Sequence, residues 1–217
     1  FSHTDKAELL RNCEESRKRL SIALKRATTI IVTFGTAWVY EMDGLVVANC
    51  HKLPAKEFVR RRMTVEEILS LWNPIIEQMP DKHWIFTVSP IRHWKEGYRE
   101  NQLSKSVLHL AVDKLQRQSD TYCYFPSYEI VMDELRDYRF FEADMLHPST
   151  VAVEVIWEKF LDTYASDCTK DICMLVDKYR KMAQHRPFNP EGEEYQAHCR
   201  KTVQLKERLK DLLGREI

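Results

Sequence analysis

The order of apolar and polar positions predicts alternating helices and strands along most of the chain. Residues 5–26 carry leucine and isoleucine at helical spacing among charges, which is typical of an amphipathic helix. The β-branched run Thr29–Phe34 follows and ends at Gly35, as expected for a strand buried on both faces of a parallel sheet. Similar runs at 83–88 and 121–124 predict two more core strands. Because helical patterns separate these runs, we expect an α/β fold in which a mostly parallel sheet lies between layers of helices, an SGNH-like or flavodoxin-like arrangement.

The connection between the first two strands contains an additional hairpin. Residues 38–48 alternate around an Asp-Gly turn at 43–44, which favours a β-hairpin. The helix after it begins at Thr64, which can form a capping box with Glu67. Three consecutive arginines at 60–62 precede that helix and are typical of a solvated surface. The hairpin starts directly after the first strand, so it can fold back over the carboxyl end of that strand.

The second half of the chain continues the alternation and then becomes helical. A helix over 103–118 is expected after a loop at 89–102, and a short helix over 128–135 follows the third strand. A loop then leads to a helix over 151–164. The pattern therefore predicts a domain over 1–164 and a helical extension over 165–217.

Composition and charge narrow the function classes. Lys plus Arg and Asp plus Glu both total 33, so no global field attracts nucleic acid or an anionic membrane, and we expect neither as a partner. No apolar run approaches the roughly 20 residues that span a bilayer, and no signal peptide is visible. The six cysteines show no zinc-binding spacing and no pattern of a disulfide framework. We therefore expect reduced thiols in the cytoplasm and no cofactor or metal.

One spacing points to acid–base chemistry. Asp144 precedes His147 by three residues, just ahead of a helix start. A carboxylate in this position can fix the tautomer of an imidazole, which then takes a proton from a nucleophilic hydroxyl. Spacing alone also fits a helix cap beside an exposed histidine. The surrounding motifs favour the catalytic interpretation.

Six short motifs occur in order along the chain, and together they resemble the GSCFA family, a branch of the SGNH-like hydrolases. The resemblance covers about residues 1–160, ends before the helical tail, and rests on Thr33-Phe34-Gly35-Thr36-Ala37-Trp38-Val39-Tyr40, Ala48-Asn49-Cys50-His51-Lys52, Ser89-Pro90-Ile91-Arg92-His93, Asn101-Gln102-Leu103-Ser104-Lys105, Tyr124-Phe125-Pro126-Ser127-Tyr128-Glu129 and Asp133-Glu134-Leu135-Arg136-Asp137-Tyr138-Arg139.

The resemblance implies a serine esterase or acyl-transfer enzyme in which His147 is the general base and Asp144 orients it. The serine of the Gly-Ser-Cys-Phe-Ala motif would be the nucleophile, and this motif is not present in the sequence. The first residues resemble a point partway through the family's domain. We therefore expect a partial domain that is inactive alone and self-associates through its uncovered surface.

The oxyanion site implied by the resemblance departs from the family pattern. Gly35-Thr36 matches the expected glycine step after a central strand, but the asparagine position holds Ala37, which has no side-chain donor. The expected substitute donors are Asn49 and His51, at the end of the hairpin that begins just after Gly35. Arg92 and His93 follow the second strand at the same sheet edge and could position a carbonyl. Each of these residues fits equally well as a polar loop residue with a local partner. Arg92 and His93 could alternatively bind an anionic group of the substrate.

Three functions remain open at this point. The first is the base-bearing part of an esterase that acts on an acylated small molecule or carbohydrate. The second is metal-assisted hydrolysis through His51, His93, Asp144 and His147, whose spacings match no metal motif. The third is a non-catalytic assembly domain, a homo-oligomer with a degenerate site.

Overall fold

The computed structural model describes residues 2–48, 50, 52–185, 187 and 191–214, with the backbone only at position 96. The chain divides into two compact units, Phe1–Val153 and Glu154–Ile217. The described strands are β1 Thr29–Phe34, β2 Trp38–Met42, β3 Leu45–Val47, β4 Val59–Arg62, β5 His83–Val88 and β6 Tyr122–Phe125. The described α-helices are α1 Lys6–Arg26, α2 Val65–Glu77, α3 Tyr98–Gln116, α4 Ser127–Glu129, α5 Thr150–Tyr164, α6 Asp167–Ala183 and α7 Glu193–Leu213.

The main sheet of the first unit is parallel and confirms the α/β class. Its strand order is β1-β5-β6, with Phe34 opposite Val88 and Thr87 opposite Phe125. The carboxyl ends of all three strands therefore meet at one edge, where open α/β sheets place their ligands. The predicted strands match the observed ones to within a residue.

One face of this sheet is packed tightly by α2 and α3. Trp84, Phe86 and Val88 alternate along β5 and lie in one buried cluster with Ile76 of α2 and Leu108 of α3. Both connections step across the sheet in the same direction, so right-handed crossovers bring their helices to the same face. The core therefore lies between this face of the sheet and helices α2 and α3.

The expectation that β1 is buried on both faces is wrong. Its residues alternate between exposed and half-buried, and Ile31 is 53% exposed although its neighbour Ile85 on β5 is only 5% exposed. In the described part of the chain β1 is an edge strand that pairs with β5 alone. A continuous β-branched run cannot distinguish an edge strand from a central one, because both are apolar on the side that meets the core.

A second sheet forms from the excursion after β1. β2 and β3 make the predicted hairpin, and its turn residues Asp43 and Gly44 have φ values of 52° and 77°. The arginine run is not a solvated segment but strand β4, which pairs antiparallel with β2. Arg61, the middle arginine, lies 2.7 Å from both Glu41 and Glu67, so two carboxylates compensate its charge.

Two helix boundaries affect the site. The α2 capping box forms as predicted, between Thr64 and Glu67. Helix α3, in contrast, starts at Tyr98 rather than at residue 103, because Gly97 adopts a φ of 85° that ends the preceding loop. Asn101 consequently lies in the first turns of a helix and not in a loop.

The second unit contains α6 and α7. Ser166 caps α6 by accepting from the Thr169 N–H at 3.3 Å, and Gly214 ends α7 in the left-handed conformation at a φ of 62°. Within the described ranges no helix is long and apolar enough to cross a membrane.

Candidate functional site

The loop between Phe140 and Ser149 holds the Asp144–His147 pair in a closed turn. Its two ends are joined by bonds from the Ser149 N–H to the Phe140 carbonyl and from the Glu142 N–H to the His147 carbonyl, each 2.8 Å long. Met145 at the tip has a φ of 59°, an unusual value for a residue with a β-carbon. The turn thus brings residues three positions apart side by side.

Asp144 binds both the backbone and the ring of its partner. One carboxylate oxygen, Oδ1, accepts from the N–H groups of Leu146 at 2.8 Å and of His147 at 3.0 Å. The other, Oδ2, lies 2.6 Å from His147 Nδ1. The His147 and Leu146 N–H groups, followed by the ring of His147, lower the pKa of Asp144 to about 2.

This geometry sets the tautomer of His147. An ionised carboxylate can only accept, so Nδ1 carries the proton that bonds Oδ2, and in the neutral imidazole the lone pair is therefore on Nε2. The side chains of His147 and Asp144 are 54% and 45% exposed, so the pair lies at the protein surface. The structure thus confirms the hydrogen bond between Asp144 and His147 that the spacing predicted. The same geometry is the one that a general base and its orienting group require.

Backbone contacts connect this loop to the carboxyl edge of the sheet. The Arg92 N–H donates to the Leu146 carbonyl at 3.3 Å, and the Arg92 guanidinium lies 4.2 Å from the ring centre of Phe141. A β-carbon on Gly35 would lie 3.9 Å from His93 Nε2, so the loop after β5 also contacts the turn after β1. Contacts therefore run from Gly35 through His93 and its neighbour Arg92 to the loop that carries His147.

Three polar residues on one face of α3 were missed as site residues by the sequence patterns. Asn101, Ser104 and Lys105 are 8%, 1% and 2% exposed, and all three bind backbone groups at the carboxyl edge. Asn101 Oδ1 accepts from the His93 N–H at 2.9 Å, and Ser104 Oγ accepts from the Ala37 N–H at 2.8 Å and lies 3.1 Å from the Thr36 hydroxyl. Their spacing, i, i+3 and i+4, was the available signal, because it places three hydrogen-bonding side chains together on one helical face.

Lys105 is the most unusual of the three. Its Nζ lies 2.6 Å from the Gly35 carbonyl and 2.6 Å from the Ser89 carbonyl, at the ends of β1 and β5. Burial removes water from the ammonium and lowers the pKa of Lys105 to about 8. Hydrogen bonds to two carbonyls compensate part of this cost, so the lysine fastens the two strand ends together.

A groove of about 200 Å³ adjoins the loop that carries His147. Its apolar wall includes Val131, Leu135 and Phe141, and it is also lined by Arg92 and Arg136. Neither guanidinium pairs with a carboxylate in the part of the chain that the structure describes.

The acidic member of the groove wall is engaged elsewhere. Asp137 accepts from the Arg139 N–H at 3.0 Å and lies 3.7 Å from the Arg139 side chain. The groove therefore combines an apolar wall with two arginines that lack carboxylate partners among the described residues.

Two predicted substrate residues, Asn49 and His51, lie outside the described residues. Among the residues that are described, no group of three or more His, Cys, Asp or Glu side chains is arranged to hold a metal ion. All six cysteines are described, and none of them forms a disulfide.

Comparison with known proteins finds two family models that match the chain, both of GSCFA proteins. The model of the GSCFA family matches residues 1–160. A second model, the C-terminal domain of GSCFA domain proteins, matches residues 176–213, which the motifs in the sequence had not indicated. No curated protein and no solved structure matches the chain.

Proposed function

The chain belongs to the GSCFA family, and from that premise we propose that it carries the general base of a serine ester hydrolase or acyl-transfer site. His147 Nε2 takes the proton of the attacking hydroxyl, and Asp144 holds the ring in the required tautomer. The supporting observation is the 2.6 Å contact between Asp144 Oδ2 and His147 Nδ1, in a loop tied to the carboxyl edge of a parallel sheet.

A fluorophosphonate probe applied to the full-length product of the gene tests this proposal. Such probes modify a serine that a neighbouring base activates, and mass spectrometry locates the modified residue. We expect labelling of one serine, together with hydrolysis of p-nitrophenyl acetate. The variant His147→Ala should lower both rates by about 100-fold or more, since a general base contributes roughly that much. Asp144→Asn should act in the same direction, because its amide favours the wrong tautomer.

A matched control is available at the start of the chain. His3 is also exposed, and its Nδ1 accepts from the Asp5 N–H at 3.0 Å, so it is another surface histidine beside an aspartate. His3→Ala should leave labelling and hydrolysis unchanged. Labelling that is absent from the wild type, or that survives in His147→Ala, would overturn the proposal.

The substrate we propose is an ester of a small molecule or a carbohydrate. The groove beside Phe141 is small, has an apolar wall and contains Arg92 and Arg136 without carboxylate partners among the described residues. These features support an acyl group that carries a negative charge. We also propose a cytoplasmic location, supported by six cysteines without a disulfide.

A second candidate function is assembly with another copy of the chain. It is favoured by the exposed apolar residues of the first unit: Ile31 on the edge strand, and Leu10, Leu20 and Ile22 on α1, are each more than half exposed. Helix α1 has no buried residue. Exposed apolar surface beside an open strand edge is a common site of self-association.

A further inference from the structure

The hydrogen-bond ladder between β1 and β5 stops at one particular peptide. The Ser89 N–H donates to the Phe34 carbonyl at 2.9 Å, as a parallel ladder requires. In a regular ladder the next bond would run from the Thr36 N–H to the Ser89 carbonyl. That bond is not formed in the described structure, and the Ser89 carbonyl instead accepts from Lys105 Nζ. The Gly35 carbonyl is also turned toward the ammonium group.

The position of the Gly35 carbonyl determines where the next N–H points. The peptide between Gly35 and Thr36 is trans, so its C=O and N–H point in opposite directions. Because the Gly35 oxygen faces the buried Lys105, the Thr36 N–H faces away from it. Among the described residues this N–H has no acceptor, whereas the following N–H, of Ala37, is satisfied by Ser104.

We propose that the Thr36 backbone N–H is an oxyanion donor of this site and that Lys105 is the positioning residue that aims it. This inference rests on the proposed ester-hydrolase function. It also explains how the site works with Ala37 where the family resemblance implies an asparagine, since a backbone donor takes the place of the side-chain donor. Gly35, the residue before this N–H, has no side chain, and a β-carbon built on it would lie 3.9 Å from His93 Nε2.

The chemistry assigned to Thr36 is stabilisation of the tetrahedral intermediate of acyl transfer. As the serine oxygen bonds to the ester carbonyl carbon, the π-electron pair moves onto the carbonyl oxygen, which accepts a hydrogen bond from Thr36. His147 takes the serine proton and returns it to the departing alcohol oxygen when the carbonyl re-forms. A donor fixed in advance stabilises the developing charge without reorganising, which is why its orientation by Lys105 matters.

Anion binding by the chain itself tests the geometry without requiring turnover. Acetate, whose carboxylate resembles the anionic oxygen, is titrated into ¹⁵N-labelled chain while amide shifts are followed by NMR, with sodium chloride as the ionic-strength control. We expect a saturable downfield shift of the Thr36 amide proton and a smaller one at Ala37, whose N–H is already bonded. Lys105→Met should abolish the Thr36 shift.

Lys82 provides the matched control. Its ammonium also donates to two backbone carbonyls, those of Lys25 and Ala27, but at the amino end of β1. Lys82→Met should therefore preserve the acetate response. A Thr36 amide that does not respond to acetate in the folded wild type, or that responds equally in Lys105→Met, would overturn the inference.

Kinetics on the full-length product separates this inference from the proposed function. If hydrolysis depends on His147, Lys105→Met should lower kcat by about 100-fold, the usual effect of losing one oxyanion donor, and leave KM and the pH–rate profile nearly unchanged. Hydrolysis that depends on His147 but is unaffected by Lys105→Met would contradict the role of Thr36 and leave the esterase proposal standing. A wild-type protein that does not react with the fluorophosphonate would instead contradict the esterase proposal.

Discussion

The Arg92 N–H donates to the Leu146 carbonyl and thereby joins the loop after the second core strand to the loop that carries the base. His147 is the next residue, so its position depends on this bond as well as on Asp144. The adjacent His93 N–H is held by Asn101, at the start of α3. Helix α3 therefore fixes the Gly35–Ala37 turn directly and the His147 loop through Arg92. Three side chains of this helix, Asn101, Ser104 and Lys105, thus hold backbone groups of two separate loops.

The pKa of Asp144 should be measurable and should depend mainly on the backbone. In a ¹³C NMR titration its carboxyl carbon should titrate near pH 2 rather than near the ordinary value of about 4. In His147→Ala the midpoint should rise but stay below 4, because the two backbone donors, the larger cause, are still present. Because the folded pKa is lowered, the carboxylate contributes stability above pH 4 that is lost as pH falls toward 2. A midpoint at 4 in the wild type would contradict the observed turn.

Lys105 gives a pH dependence of stability with the same sign as that of Asp144 but in a higher pH window, because burial disfavours the charged form of the lysine. Burial lowers its pKa from 10.5 to about 8, so between these values the unfolded chain binds more protons than the folded one. The free energy of unfolding should therefore rise with pH across this window, by up to ~3 kcal/mol relative to Lys105→Met. Urea denaturation of both proteins at pH 8 and pH 10 measures the difference, from which other titrating groups cancel. An unchanged difference would mean that the ammonium is not desolvated.

The sequence predicted the features that local patterns encode. The three core strands were found because each is a short apolar run, and Asp144 and His147 were found because their contact spans only three residues. Strand β4 was missed because three arginines indicate solvent, while their neutralising carboxylates come from β2, α2 and α3.

The role of α3 was missed for a related reason. A lysine is almost never buried unless it is paired, so a helical pattern assigns Lys105 to the exposed face. Its partners are the main-chain carbonyls of Gly35 and Ser89. Every residue has such a carbonyl, so the sequence does not show which ones bind the lysine. The contact between Arg92 and Leu146 was unpredictable for the same reason.

The groove beside Phe141 predicts a charge preference among substrates. Arg136→Ala should raise KM by about 10-fold for an ester whose acyl group ends in a carboxylate, such as a succinyl ester, because it removes one charge-assisted hydrogen bond. Hydrolysis of the neutral acetyl ester should be unaffected. Arg99→Ala is the control, since Arg99 is exposed and pairs with Glu100 on α3. Equal losses for both esters would remove the groove from substrate recognition.

The open edge of β1 predicts self-association of the chain. Its outer N–H and C=O groups are unpaired within the described sheet, and Ile31 is 53% exposed beside them. A two-fold axis at this edge would pair the β1 strands of two copies and cover both isoleucines. Light scattering should show a mass that rises with concentration toward the dimer. Ile31→Lys should raise the protein concentration at which half of the chain is dimeric by at least about 10-fold, because a charge at an edge strand disfavours pairing.

Leu45→Lys provides the control, since Leu45 is 72% exposed but lies at the tip of the β2–β3 hairpin. A monomer at all concentrations, or equal effects of the two substitutions, would show that β1 is not the interface.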